Sequence, residues 1–132
     1  MNKITKKVFP YQENLNGQYF PIVPVTLSYK LKKADTSALI DSGATISIFR
    51  EEVADLLGIK IEKGKEIFMG GVGGRIKGYL HKLDMEVASI KFKIPVIFSY
   101  EYLVSLNLLG RDTFFPKFSI TFTEKDKILT LE

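Results

Sequence analysis

The sequence predicts a mostly β fold, closed on itself, with one or two short helices. Three observations carry this expectation. Apolar residues alternate with others in short runs such as "YFPIVPVTLSYKL" and "IKFKIPVIF". A glycine cluster, "GGVGG", divides two further strand-like runs, and only "REEVADLLG" switches to clear helical spacing. With 132 residues, 45% of them hydrophobic, the chain can bury one modest core and is too short for two ordinary domains.

Taken in order, residues 1–19 lack clear periodicity and read as an N-terminal arm, leaving 20–132 as the folded domain. Val23, Val25 and Leu27 then alternate with Pro24, Thr26 and Ser28, and two prolines, Pro21 and Pro24, suit an edge position. "TSALID" is a second short strand. In "REEVADLLG", Val53, Leu56 and Leu57 fall at i, i+3 and i+4, acids stand near the start, and Gly58 is the stop signal. "KEIFM" and "RIKGYLHKLDMEV", with the glycines between them, read as a β-hairpin. Ile90, Phe92, Ile94, Val96 and Phe98 alternate along one face. "SLNLLGRDTFF" runs apolar into a glycine and then one helical turn, and "FSITFTEKDKILTLE" makes a last hairpin around "EKDK".

Composition narrows the chemistry. The chain has no cysteine, so disulfides and thiolate metal sites are excluded, and its one histidine, His81, lies in the polar stretch "YLHKLD" and reads as a surface residue. The net charge is +4, but the lysines are interleaved with carboxylates, as in "KIEKGKE", and form no basic stripe, so nucleic acid is not an expected partner. The start, "MNKITKKVFPYQ", lacks the apolar core of a secretory signal, and no window reaches the roughly 20 apolar residues of a membrane span, so the expectation is a soluble, cytoplasmic chain.

The sharpest question is the carboxylate in "ALIDSGAT". Asp41 follows Leu39 and Ile40 out of an apolar strand, where an unpaired charge costs several kcal/mol unless it is hydrogen-bonded or protonated. Asp, Ser and Gly are also ordinary turn residues, so the motif alone reads as a turn. Other catalytic patterns fail on spacing. An aspartyl-phosphate motif needs a carboxylate where Gly43 stands. The glycine run lacks the P-loop lysine, with Tyr79 in its place, and the third glycine of a dinucleotide fingerprint, with Ile76 in its place.

Three pieces in fixed order, "LIDSGAT" at 39–45, "FMGGVGGRIKG" at 68–78 and "NLLGRD" at 107–112, together resemble the retropepsins, the single-domain aspartic proteases that include retroviral proteases and related cellular and bacterial domains. The resemblance spans roughly residues 35–115. It implies a closed β-barrel with a flap hairpin, and an aspartic endopeptidase without cofactor or metal. Asp41 would be the catalytic acid–base. Ser42 would brace the paired loops, Gly43 would let backbone approach the carboxylate, and Ala44 and Thr45 complete the signature. Met69, Gly70, Gly71, Val72, Gly73 and Gly74 would form the flap. Leu108, Leu109 and Gly110 would pack behind Asp41, with Arg111 and Asp112 as charged support. Retroviral proteases carry an acid where Thr45 stands, so Arg111 needs another acceptor here.

Hydrolysis by this mechanism needs two carboxylates about 3 Å apart sharing one proton. Only one copy of the motif exists, and Asp112 lacks the Ser/Thr-Gly that would make it a second. The expectation is therefore a two-fold homodimer in which each protomer donates Asp41, acting on peptide or protein substrates. The groove is expected to be apolar, drawing on Leu39, Ile46, Val72, Ile76 and Leu109. The alternative is a catalytically silent dimerisation or peptide-binding module of the same type.

Overall fold

The computed structural model describes residues 5–71 and 74–132. Its described residues are mostly strand. β1 (Lys7–Pro10), β2 (Gln12–Glu13) and β3 (Tyr19–Phe20) lead into β4 (Ile22–Tyr29), β5 (Lys32–Ile40), β6 (Ser47–Phe49) and the helix α1 (Glu51–Leu57). β7 (Lys65–Gly71), β8 (Gly74–Val87), β9 (Ile90–Phe98), β10 (Leu108–Leu109), β11 (Ile120–Thr123) and β12 (Ile128–Leu131) follow, with 3₁₀ turns at Ile61–Lys63, Phe115–Lys117 and Glu124–Asp126.

Seven strands pair in the order β4-β5-β10-β6-β9-β8-β7, and β4 also pairs with β8 through Thr26–Ser28. The hydrogen-bonded order thus returns on itself as a ring, with β7 attached outside it. Most pairs are antiparallel, while β10 runs parallel to β5 and β6 parallel to β9. Inside the ring, Val23, Val25 and Leu27 meet Leu83, Met85, Ile94, Val96 and Phe98, all buried. Burial of this apolar surface is the main favourable term of the fold.

The ring explains how prolines are tolerated. Pro24 pairs with Ser37 of β5, but the contact with β8 begins only at Thr26, so this end of β4 has a neighbour on one side and the missing N–H removes no bond from the other. Pro95 likewise stands one residue before β6 joins β9 at Val96. The β8–β9 connection is a two-residue turn, Ala88 and Ser89, with φ of 51° and 68°. Both are left-handed, as the twist of a tight hairpin requires, although neither is Gly or Asn.

Several expectations change. The segment read as an arm is built into the fold from Lys7 onward. β1 pairs with β12, and Tyr11 is buried, its N–H donating to the Lys127 carbonyl (2.8 Å) and its hydroxyl to Glu124 Oε1 (3.0 Å). Apolar residues on both faces, with Val8 exposed and Phe9 partly buried, erase the alternation that would have announced a strand. In α1 the buried side chains are Val53, Ala54 and Leu57, and Leu56 points to solvent. Gly58 does end the helix, at φ 69°, with its N–H bonded to the Ala54 and Asp55 carbonyls.

His81 is not a free surface residue. It is half-buried, with Nε2 2.9 Å from the Ile61 carbonyl and its ring edge-on to Phe98, and Gly64 leaves room for it, since a Cβ there would lie 2.5 Å from Nε2. The helical turn expected after "NLLGRD" is a short 3₁₀ turn. Thr113 takes a left-handed φ of 69°, Phe114 is driven into the core against Phe118, and Pro116 lacks the N–H that a continuing helix would use.

The corrected helix face can be tested directly. Leu57→Ala should destabilise the protein by about 2–5 kcal/mol, whereas Leu56→Ala should change stability by less than about 0.5 kcal/mol. Urea denaturation midpoints of the two variants measure the difference.

Candidate active site

Asp41 sits where β5 runs out of strand, and the chain is held there from both sides. Leu39 and Ile40 pair in parallel with Leu108 and Leu109 of β10, and the Asp41 N–H continues that ladder to the Leu109 carbonyl at 2.9 Å. From the β4 side, the Ile40 N–H donates to the Pro21 carbonyl at 3.0 Å. The chain then turns, with the Ala44 N–H bonded to the Asp41 carbonyl (3.2 Å). Within the turn the Gly43 N–H donates to Asp41 Oδ1 at 2.9 Å. A Cβ on Gly43 would lie 3.2 Å from that oxygen, so the small residue sustains the close approach. Asp41 is half-buried within one chain, and Ser42 is exposed beside it.

The "NLLGRD" segment holds this loop through its backbone. Arg111 and Asp112 donate their N–H groups to the Ala44 and Thr45 carbonyls at 2.8 and 2.7 Å. Gly110 passes so close that a Cβ would lie 2.8 Å from the Ala44 carbonyl oxygen and 2.8 Å from the Ile46 carbonyl carbon. Its N–H is received by the buried Ser47 hydroxyl at 3.0 Å. The expected charged support takes a different form inside the chain. Both side chains, Arg111 and Asp112, are exposed, and among the described residues no carboxylate lies within 4.0 Å of Arg111.

Two residues that the sequence reading passed over prove central. Asn107 is buried, and its carbonyl accepts the Leu39 N–H at 2.8 Å. Its side-chain oxygen accepts the Arg50 N–H at 2.7 Å at the start of α1, while its amide donates to Ser37 O (2.9 Å) and Thr36 Oγ1 (3.1 Å). One side chain thus ties β5, β6's exit and β10 together. Tyr102 is half-buried and feels the charge of Asp41. Burial first, then the Asp41 charge, push its phenol up to about 12, with Arg50 acting in the opposite sense, and its hydroxyl donates to the Leu106 carbonyl at 2.5 Å. A polar side chain inside an apolar run, as Asn107 is in "SLNLLG", was the available signal for the first; nothing local marks Tyr102.

A cleft of about 400 Å³ opens against Asp41, between the 43–46 loop and β7. Its apolar walls are Ile46, Ile48, Ile67, Met69 and Ile97, with Phe68 and Gly70 at the β7 side. Among the described residues expected to line a groove, only Ile46 does so. Leu109 is fully buried behind the loop, and Leu39 and Ile76 are not among the cleft's walls. The β7–β8 hairpin pairs from Lys65–Leu80 up to Gly71–Gly74, and Val72 and Gly73 at its end lie outside the described residues. Among the described residues, no group of three or more His, Asp or Glu side chains is placed to hold a metal ion, and no helix is long and apolar enough to cross a membrane.

A family model described as an aspartyl protease matches residues 23–113, from β4 to just beyond Asp112. The chain belongs to this family, of retropepsin-like type. The matched stretch contains the Asp41 loop, the hairpin and the "NLLGRD" segment, and leaves β1, β11 and β12 outside it. A comparison with curated proteins gave no match.

Gly110→Ala should cost about 1–3 kcal/mol, because the new methyl meets backbone that cannot move without displacing the Asp41 loop; the urea midpoint of the variant checks it. Tyr102 gives a test of its own. A phenol raised above its ordinary 10 contributes stability that is fully present below pH 10 and is lost as pH rises through about 12. Asp41→Asn removes the opposing negative charge, so the Tyr102 phenolate should form at lower pH than in wild type. Ultraviolet titration, with Tyr102→Phe subtracted to isolate this residue, measures the displacement.

Proposed function

We propose that the chain is an aspartic endopeptidase, active as a homodimer in which Asp41 of each protomer shares one site on the two-fold axis. The observation that carries this reading is the placement of Asp41. A single carboxylate lines a cleft that has isoleucine and methionine walls, its backbone locked by β10 and its Oδ1 held by the Gly43 N–H. The family membership supports protease chemistry, and the single motif supports the shared site, since the reaction needs two such carboxylates.

In this reading the two carboxylates hold one proton between them. The ionised one takes a proton from water as it attacks the peptide carbonyl, and the protonated one donates to the carbonyl oxygen, giving a tetrahedral intermediate without a covalent enzyme bond. The Gly43 N–H orients Oδ1 and stabilises its negative charge, leaving the other oxygen to face the water. The β7–β8 hairpin, from Met69 to Gly74, acts as a flap that excludes bulk water over an extended peptide. Ile46, Ile48 and Ile97 favour bulky apolar side chains on either side of the scissile bond. Arg111, exposed and without a carboxylate among the described residues of its own chain, is available to an acid of the partner.

Purified protein should cleave unfolded, apolar-rich peptides with a bell-shaped pH profile whose optimum lies on the acidic side of neutral, because the rate requires one proton on the pair. Asp41→Asn should lower turnover by about 10⁴-fold while sedimentation still shows a folded dimer. Specific activity should fall on dilution through the dissociation constant. A profile rising steadily to alkaline pH, an active Asp41→Asn protein or a fully active monomer would each reject the shared-aspartate mechanism; peptide binding without turnover in wild type would identify a binding module.

A further inference from the structure

β9 ends at Phe98, paired with Tyr79, and beyond that point β8 continues towards the hairpin tip with only β7, among the described residues, as a strand neighbour. The peptide groups on the other side of β8 should therefore be open to water. At Lys77 they are not. The Lys77 carbonyl accepts the Ser99 hydroxyl at 2.5 Å, and the Lys77 N–H donates to Glu101 Oε1 at 3.0 Å. Ser99 is buried, and its oxygen in turn accepts the Glu101 N–H at 3.0 Å, which fixes the glutamate over the strand. Two side chains just past the end of β9 thus take the place of the next β9 residue, gripping both polar groups of one peptide.

The grip lies at a mechanically sensitive place. Gly78, the next residue, is buried against Ile97 so tightly that a Cβ would lie 2.6 Å from its Cγ2, so the strand is wedged there. On the tip side of Lys77, residues 74–76 pair only with β7. The segment that supplies Ser99 and Glu101 runs on through Tyr102, closed by its bond to Leu106, into Asn107, which holds Leu39 and Arg50. The base of the hairpin and the strand that delivers Asp41 therefore share one brace.

We infer that Ser99 and Glu101 are positioning residues, a latch on Lys77 that sets how the β7–β8 hairpin lies over the Asp41 cleft. The inference rests on the protease reading for its kinetic consequence, but the latch itself is a property of the fold. With Glu101 in place, the hairpin is ordered before substrate arrives, and a peptide need not supply that ordering from its own binding energy. Loss of the latch should therefore weaken substrate binding more than it slows the chemical step.

The test compares wild type, Glu101→Ala and Glu101→Gln by amide hydrogen exchange and by steady-state kinetics on an apolar peptide. Glu101 is exposed, so neither variant should disturb folding. In Glu101→Ala the Lys77 amide should exchange about tenfold faster, with faster exchange also at the β7–β8 amides of residues 66–71 and 74–76, while amides of the β8–β9 ladder stay unchanged. Glu101→Gln keeps an acceptor oxygen and should restore most of the protection. KM should rise about tenfold in Glu101→Ala with kcat within about threefold. Unchanged exchange at Lys77 and the hairpin in Glu101→Ala would overturn the latch. Faster exchange with an unaltered KM would overturn its positioning role. Should wild type cleave no peptide, the protease reading fails, and the exchange comparison still decides whether the latch exists.

Discussion

The pairing of the two-residue strand β10 with both β5 and β6 is the constraint on which the site depends. Leu108 and Leu109 run parallel to Leu39 and Ile40, and Leu108 faces Ile48 across an antiparallel contact. Because a parallel neighbour cannot be reached by a tight turn, the chain must travel from β5 through α1, the hairpin and β9 before returning to close this gap. The return fixes where β5 ends. It supplies the Leu109 carbonyl to the Asp41 N–H and brings Gly110 against the Ala44 and Ile46 carbonyls at a distance that leaves no room for a side chain. A carboxylate on a free loop would be a mobile solvated group. Here its backbone is held by ladder bonds on either side, and its Oδ1 by the Gly43 N–H.

Much of this was legible because the relevant signals are short-range. Alternation located β4 and β9, "TSALID" marked the end of β5, the glycine run located the β7–β8 hairpin, and Gly58 located the end of α1. What stayed hidden depends on which neighbour each residue finds. Leu56 and Leu57 are the same residue type one position apart, yet one is 61% and the other 1% exposed, because α1 docks through Val53, Ala54 and Leu57. His81 has polar neighbours in sequence, but the ring lands between Ile61 and Phe98. The 7–11 stretch carries apolar residues on both faces, and only its pairing with β12 distinguishes strand from loop.

The same distinction applies to the candidate site. The motif itself marked Asp41, Gly43 and Gly110, since each occupies a place where geometry restricts the residue type. Most of the cleft's apolar walls were not legible. Leu109 lies within the motif but faces the core, whereas Ile48, Ile67 and Ile97 come from three separate strands that meet only after the ring closes. Asn107 illustrates the cost of treating an apolar run as uniform. Its four partners, Leu39, Arg50, Ser37 and Thr36, are 57 to 71 residues away for the side-chain bonds, and a buried amide with every polar group engaged is worth more to a unique structure than another leucine.

The terminal strands restrict how a shared site could be assembled. β12 lies between β1 and β11 and has a neighbour on each side, so its ladder is already complete within one chain. A second copy could extend this small sheet only at the outer edge of β1 or β11. Pro10 removes a donor from β1, which weakens that edge as a template, whereas β11 carries no proline. On the proposed two-fold arrangement, contacts near the axis would come from the elements around Asp41: the exposed Ser42, Thr45 and Arg111, and the apolar Leu103 and Val104 exposed on the segment that braces the hairpin. Charged and small polar groups next to exposed apolar ones are what a self-complementary patch requires, since each must meet its own copy or a near neighbour across the axis. The same segment would then carry three duties, gripping the hairpin at Lys77, clamping the Asp41 strand at Asn107 and presenting its apolar crest to the partner, so that association and hairpin order would be coupled through a single stretch of chain.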